Sequence, residues 1–196
     1  DKFIKDAVKK GAVAVICKEN FKSKISGLPL IKVKNVQRSL AEACEKFFKE
    51  KPARIIAVTG TNGKSSVANF FLQIFNFNNI AAASIGTLGV MQKNRKKPIG
   101  LTTPDIISLH KELNDLKRKG INNVILEASS HGLAQGRLDG IKYKAGIFTN
   151  FSLDHLDFHK NIKNYFNSKM ILFNKLLNKN SYVISDSKIN HYKILM

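Results

Sequence analysis

The chain has 196 residues, of which 43% are hydrophobic and 24% charged, with a net charge of +19. That suits one full globular domain, or one and a part, and excludes wholesale disorder. It also excludes a membrane span, because the longest apolar candidate, 80–90, is short and broken by Gly86 and Gly89.

Taken in order, residues 1–10 read as the end of a helix with Phe3, Ile4, Ala7 and Val8 on one face, stopped by Gly11. Residues 12–17 are an unbroken apolar run and read as a buried strand, and 28–33 as a second short strand. Over 36–49, Leu40, Ala43, Cys44, Phe47 and Phe48 recur at helical spacing. Lys51-Pro52 then breaks the chain, and a domain boundary is expected there. Beyond it, strands (55–59, 80–84, 124–127, 145–149, 182–185) alternate with helices (65–77, 105–119, 161–178). Such alternation argues for βαβ units and a mostly parallel sheet flanked by helices, an α/β fold preceded here by a partial small α/β domain.

The basic excess comes from 28 Lys against 5 Arg, beside 19 Asn and 21 Ile. A nucleic acid or an anionic membrane surface is one reading of that charge; Lys, Asn and Ile have A/T-rich codons, so genome bias is the plain one. The lysines are dispersed except at 93–97, Lys-Asn-Arg-Lys-Lys, and no aromatic-interleaved basic stripe accompanies them. No nucleic-acid partner is expected. Cys17 and Cys44 make neither a metal-spaced pair nor a disulfide framework, which suits a reducing cytoplasm. The chain opens Asp-Lys-Phe-Ile-Lys, with no signal-peptide core and no Met, so its true N-terminus is expected upstream.

The strongest local signal runs from Ile55 to Ser66: an apolar strand, then Thr59-Gly60-Thr61-Asn62-Gly63-Lys64-Ser65-Ser66 opening a helix. Glycines let backbone N–H groups converge on phosphate oxygens, and the helix N-terminus adds partial positive charge. Lys64 would reach the outer phosphates and the Ser65 hydroxyl would ligate Mg²⁺. The general phosphate-loop pattern is missed only at its first glycine, where Val58 stands. The plain alternative is an ordinary strand-to-helix turn; the strand–loop–helix setting with Gly-Lys-Ser argues against it.

Three later segments extend the pattern: Leu101-Thr102-Thr103-Pro104-Asp105, Glu127-Ala128-Ser129-Ser130-His131-Gly132-Leu133, and Thr149 to His159. With the phosphate loop, and with the helix of Tyr165 and Lys169, they resemble in order and spacing the Mur ligase family. The closest resemblance is to the type that adds the third peptide residue to UDP-N-acetylmuramoyl-L-alanyl-D-glutamate. The resemblance implies an ATP-dependent ligase in the cytoplasm that adds meso-diaminopimelate or L-lysine through an acyl phosphate. It implies small-molecule substrates only, two Mg²⁺ ions and a monomer.

Each residue also has a reading of its own. Glu127 ends an apolar strand, where ligands gather in open α/β sheets, and a carboxylate there suits a hard ion; it could equally face solvent. The family makes it a Mg²⁺ ligand. His155 and His159 lie four apart, but Leu156 stands where a zinc peptidase needs Glu, so that reading fails. The family assigns His155 to a second Mg²⁺, with Asp154 or Asp157 available to orient it. Lys169 is one lysine among many by pattern alone; the family's matching lysine is carbamylated, which requires a lysine able to lose its proton. Thr102 and Thr103 could simply cap the next helix. The family uses them, with Ser129, Gln135 and Arg137, to hold the muramoyl dipeptide, and Arg137 suits a carboxylate.

Mur ligases have three domains. The resemblance makes residues 1–50 the end of the first, UDP-substrate-binding domain and 51–196 an incomplete central ATP-binding domain, with the amino-acid-binding domain absent. A fragment of that kind is expected to be inactive alone. A folylpolyglutamate synthase-like ligase and a non-catalytic nucleotide-binding fragment are the alternatives.

Overall fold

The computed structural model describes residues 2–22 and 27–188. The chain divides into two compact units, 1–43 and 44–196. In the first, α1 (Lys2–Lys9) is followed by β1 (Val15–Lys18) and β2 (Leu30–Val33), which pair in parallel with Val15 opposite Leu30. The run at 12–17 is less buried than its apolarity suggests. Cys17 is 7% exposed, yet Val13 is 84% exposed, because two strands alone offer little surface to cover an apolar segment.

The boundary between the units falls inside α2 (Val36–Phe47), upstream of Lys51-Pro52. The chain just beyond α2 is tied into the second unit: Glu50 N–H donates to Asn114 Oδ1 at 3.2 Å, and Lys51 Nζ to the His110 carbonyl at 3.5 Å. A helix carries the chain past the first unit, so the sequence break at Pro52 follows the structural one.

The second unit is a seven-stranded sheet in the order β6-β5-β4-β7-β3-β8-β9. β3 (Arg54–Thr59), β4 (Ala82–Gly86), β7 (Asn123–Glu127), β8 (Tyr143–Phe148) and β9 (Leu177–Ser185) are mutually parallel. Apolar residues cover both faces of the central strands, as a sheet clad by helices requires; all five residues of β7 are buried. The core joins Ile55, Ala83, Val124 and Leu126 to Leu109, Leu113 and Leu116 of α4 (Ile106–Arg118). Asp105 caps α4 by accepting from the Ser108 N–H at 3.0 Å, just behind Pro104.

Several elements depart from the sequence expectation, among them two short helices that helical spacing does not predict, α5 (Ser130–Ala134) and α6 (Leu156–His159). β5 (Gly89–Gln92) and β6 (Arg95–Lys97) form an antiparallel hairpin on the β4 edge; β5 is short and opens on Gly89, and β6 is wholly basic, so neither reads as a strand. The helix expected over 161–178 is α7 (Ile162–Ile171), then a π-helical turn, Leu172–Leu176, and β9 begins at Leu177. The wider turn ends the helix early, although the apolar pattern of 171–177 continues it on paper.

Candidate active site

The loops after β3, β4, β7 and β8 meet at the carboxyl ends of the strands, where the connection from β7 to β8 crosses to the other side of β3. They enclose a cavity of about 370 Å³ lined by the phosphate loop, Thr87, Thr102, Glu127, Ser129, Ser130, His155 and Lys169. A larger cavity of about 520 Å³ lies at the opposite strand ends around Lys51, Tyr143 and Ser181. It holds no glycine-rich loop, so size does not locate the chemistry.

The loop between β3 and α3 (Lys64–Phe77) is held by the segment after β8. Asn62 N–H donates to Asn150 Oδ1 at 2.8 Å, Thr61 N–H to the Asn150 carbonyl at 3.0 Å, and Thr149 Oγ1 to the Asn62 carbonyl at 2.6 Å. Gly60 has φ +143°, and a Cβ there would run into Thr149 Oγ1. The glycine is thus required by close approach as well as by conformation. Thr61 serves the loop more than a ligand: its hydroxyl accepts from the Ser152 N–H at 3.0 Å and lies 3.1 Å from the Tyr165 hydroxyl.

Lys64 Nζ folds back onto the carbonyls of Gly60 and Thr61, both at 2.9 Å. Burial lowers its pKa, against the pull of Glu127 and Asp154. Lys169, on α7, is 1% exposed and donates to the same Gly60 carbonyl at 2.7 Å. Its nitrogen lies 4.4 Å from the Tyr165 ring centre. Burial first, and the nearby Lys64 second, push its pKa down to about 7. Near neutrality a substantial fraction of this side chain is therefore an uncharged amine.

Glu127 is 3% exposed and every donor around it is supplied by the site. Ser65 Oγ reaches Oε2 at 2.9 Å, Thr87 Oγ1 reaches Oε2 at 3.0 Å, and Thr87 N–H reaches Oε1 at 3.1 Å. Gly86 lets this happen, since a Cβ there would overlap the Glu127 carboxylate. Thr87 also touches Thr102, hydroxyl to hydroxyl, at 3.1 Å. Sequence reasoning missed Thr87; the signal available was Gly86-Thr87-Leu88-Gly89 closing an apolar strand at a sheet position next to that of Glu127.

Ser65 and Glu127 are hard oxygen donors at the mouth of a phosphate loop, and this donor chemistry fits Mg²⁺. That ion takes one or two protein oxygens and completes its shell with phosphate and water. No group of three or more His, Cys, Asp or Glu side chains poised for a metal occurs among the described residues. His155 also lines the cavity. It has φ +51° and its Nε2 lies 3.5 Å from Asp154 Oδ2, so Asp154 rather than Asp157 pairs with it. His131 sits against His155 and against His159, at ring separations of 4.9 and 5.4 Å. Burial, then neighbouring imidazoles, lower the pKa of His131 and His159.

The residues carried over for the dipeptide divide. Thr102 and Ser129 line the cavity. Thr103 is 2% exposed, its hydroxyl donating to the Glu127 carbonyl at 2.8 Å and contacting Ser129 Oγ at 2.9 Å. Gln135 and Arg137 pair with each other, and Arg137 Nη1 donates to the Thr103 carbonyl at 2.8 Å. These three are not among the residues lining that cavity: Thr103 is buried, Arg137 half-buried and Gln135 exposed.

A parallel sheet with a phosphate loop at its centre, and a carboxylate and a buried lysine beside it, defines a P-loop α/β domain. The Mur ligase middle domain matches residues 58–195, and the chain belongs to the Mur ligase family. It is 44% identical over 182 residues to the UDP-N-acetylmuramoyl-L-alanyl-D-glutamate--2,6-diaminopimelate ligase of Brucella melitensis biotype 1, covering 93% of this chain and 37% of that one. The enzyme of the same name from Rickettsia bellii is 42% identical over 199 residues, covering 98% of this chain and 41% of its own. The chain thus spans about two-fifths of the length of these relatives.

A solved structure of a UDP-N-acetylmuramoyl-L-alanyl-D-glutamate--2,6-diaminopimelate ligase superposes with a TM-score of 0.84 at 29% identity, covering 99% of this chain and 39% of that one. Thermotoga maritima MurF ligase in complex with ADP gives 0.64 at 16%, covering 99% and 42%. Escherichia coli FolC in complex with DHPP and ADP gives 0.58 at 19%, covering 90% and 46%. These last two share the fold. No helix of the described residues is long and apolar enough to cross a membrane.

Proposed function

We propose that the chain supplies the nucleotide-binding and carboxylate-activating part of a cytoplasmic, monomeric ATP-dependent amide ligase. Its substrate is UDP-N-acetylmuramoyl-L-alanyl-D-glutamate and the residue added is a diamino acid, 2,6-diaminopimelate in the relatives' names. Residues 51–196 would be its central domain and 1–50 the end of the preceding one. The carrying observation is that the phosphate loop, Glu127, Thr102, His155 and Lys169 open into one cavity.

In this reading the γ-phosphoryl group of ATP passes to the free carboxylate, leaving ADP and an acyl phosphate. An amine then attacks the acyl carbon and phosphate departs as the amide forms. The protein's part is positioning and charge neutralisation. The loop N–H groups and the start of α3 cradle the phosphates. Lys64 leaves the loop carbonyls to neutralise the outer phosphates, so the loop itself stores its resting position. Ser65 and Glu127 would hold one Mg²⁺, and His155 a second. Bound there, the ions would polarise the phosphoryl group and offset repulsion between two anions. A carbamate on Lys169 would add a carboxylate-like anion beside Lys64. Thr102, Thr103, Ser129, Gln135 and Arg137 would hold the dipeptide, with Arg137 suiting its carboxylate.

The test replaces the matching segment of the Brucella melitensis relative with this chain. Phosphate release that requires ATP, the muramoyl dipeptide and 2,6-diaminopimelate together supports the reading. Release with a folate and glutamate instead would favour a folylpolyglutamate synthase-like ligase, and nucleotide binding without release a non-catalytic module.

A further inference from the structure

Between Lys64 and Lys93 the sequence contains no charged residue, in a chain that is 24% charged. That stretch holds almost all of α3. One face of α3 packs on the sheet through Ala68 and Leu72, with Val67 and Phe71 beside them. A helix with one face buried normally turns charged and polar residues outward. Here Phe70, Ile74 and Phe77, spaced i, i+4, i+7, are 59%, 60% and 89% exposed. Isolated exposed apolar residues are ordinary, but a continuous row along one helix marks a contact surface.

The end of this row meets a second feature. Lys93 Nζ donates to Asn79 Oδ1 at 3.3 Å, and Asn76, Asn79 and Ile80 share a cavity wall with Lys93, Asn94 and Arg95. The turn of the β5–β6 hairpin therefore lies against the C-terminal end of α3. It presents Lys93, Arg95, Lys96 and Lys97, all exposed. Among the described residues only Lys97 of these four has a carboxylate partner, Glu112.

Apolar side chains beside uncompensated cations suit one partner above others. A bilayer surface accepts phenyl and branched side chains at the headgroup–acyl boundary while its anionic phosphates meet the cations. A nucleic acid would satisfy the cations and leave the α3 row in water. We infer that the outer face of α3 and the β5–β6 turn together form a docking surface for an anionic lipid bilayer. The contact is peripheral and reversible, because a few apolar side chains and a few exposed cations bury too little for permanent anchoring. It is independent of the ligase reading.

The chain contains no Trp, so Phe77→Trp places a lone indole reporter at the most exposed point of the row. With vesicles of phosphatidylglycerol and phosphatidylcholine, its emission is expected to shift to the blue, and with phosphatidylcholine alone to stay put. Leu153→Trp, 73% exposed in the loop beside Ser152, is expected to stay put with both. In sedimentation with the anionic vesicles, Arg95→Glu/Lys96→Glu should lower partitioning roughly tenfold or more, about 1 kcal/mol being attached to each basic residue at such a surface. Ile74→Ser should lower it severalfold, and the charge-matched control Lys144→Glu/Lys163→Glu much less than the hairpin pair. Three results would overturn the inference. One is an indole shift that ignores lipid charge or does not occur. Another is a control pair that loses as much as the hairpin pair, which would credit net charge alone. The third is binding of duplex DNA that Arg95→Glu/Lys96→Glu abolishes while vesicle binding is absent.

Discussion

The side-chain nitrogens of Lys64 and Lys169 donate to one and the same oxygen, the carbonyl of Gly60, at 2.9 and 2.7 Å. Burial lowers the pKa of both, and in Lys169 burial first and the charge of Lys64 second bring it down to about 7. A carbamate on Lys169 would turn this like-charged pair into an ion pair.

The depressed pKa of Lys169 has a stability consequence with a definite sign. Between about 7 and the unfolded value near 10.5 the unfolded chain binds the extra proton, so stability rises with pH across that window. The burial penalty is full below pH 7 and vanishes above the unfolded value, and amounts to at most about 5 kcal/mol. Urea melts of the wild-type chain should show this rise from pH 7 to 10. Lys169→Met, which removes the titrating group, should show little of it.

Lys64→Ala should weaken ATP binding at least ~30-fold, the loss of a charge-assisted contact of roughly 2–3 kcal/mol to phosphate. Isothermal titration calorimetry on this chain measures it. Unchanged affinity would remove the phosphate-loop assignment.

Gly86→Ala should displace the Glu127 carboxylate and destabilise the fold by about 1–3 kcal/mol, as overpacking of a tight site does. Gly100→Ala is the control, because no atom lies within 4 Å of a Cβ built there. Thermal melts compare the two. In Gly86→Ala the Mg²⁺ dependence of nucleotide binding should also weaken, while Gly100→Ala keeps it.

Thr87→Val keeps the backbone N–H to Glu127 but loses the hydroxyl, leaving Oε2 with only Ser65 as donor. We expect Mg²⁺–ATP affinity to fall by roughly tenfold or more, about one hydrogen bond to a charged group. Thr87→Ser should restore it. Metal titrations at fixed nucleotide distinguish the pair.

Much of this site was legible because its parts are local. Strand 55–59, the Gly-Lys-Ser loop and the helix after it form a contiguous pattern whose period changes from strand to helix where Gly63 and Lys64 stand. An apolar strand ending on Glu127 marked the position but left its role open, and the family resemblance supplied one. What was not legible is which polar side chains are already occupied. Thr103 and Arg137 also bond within the protein, to Glu127, Ser129 and each other, and no local pattern announces those contacts. Residues that make long-range contacts leave no periodic trace, and Thr87, forty positions from Glu127, is one of them. The hairpin at 89–97 escaped because Lys and Arg are poor strand formers and its pairing is set by the β4 edge.

The bracing of the phosphate loop by Thr149 and Asn150 also bears on how the chain acquires its function. Asn62 and Asn150 are 88 positions apart. Contacts so distant in sequence form late, after the loop-closure entropy between them has been overcome. During synthesis the ribosome releases the whole Gly-Lys-Ser segment long before its brace exists. A nascent chain ending ahead of β8 would carry every residue of the motif and still lack the shape that grips a phosphate.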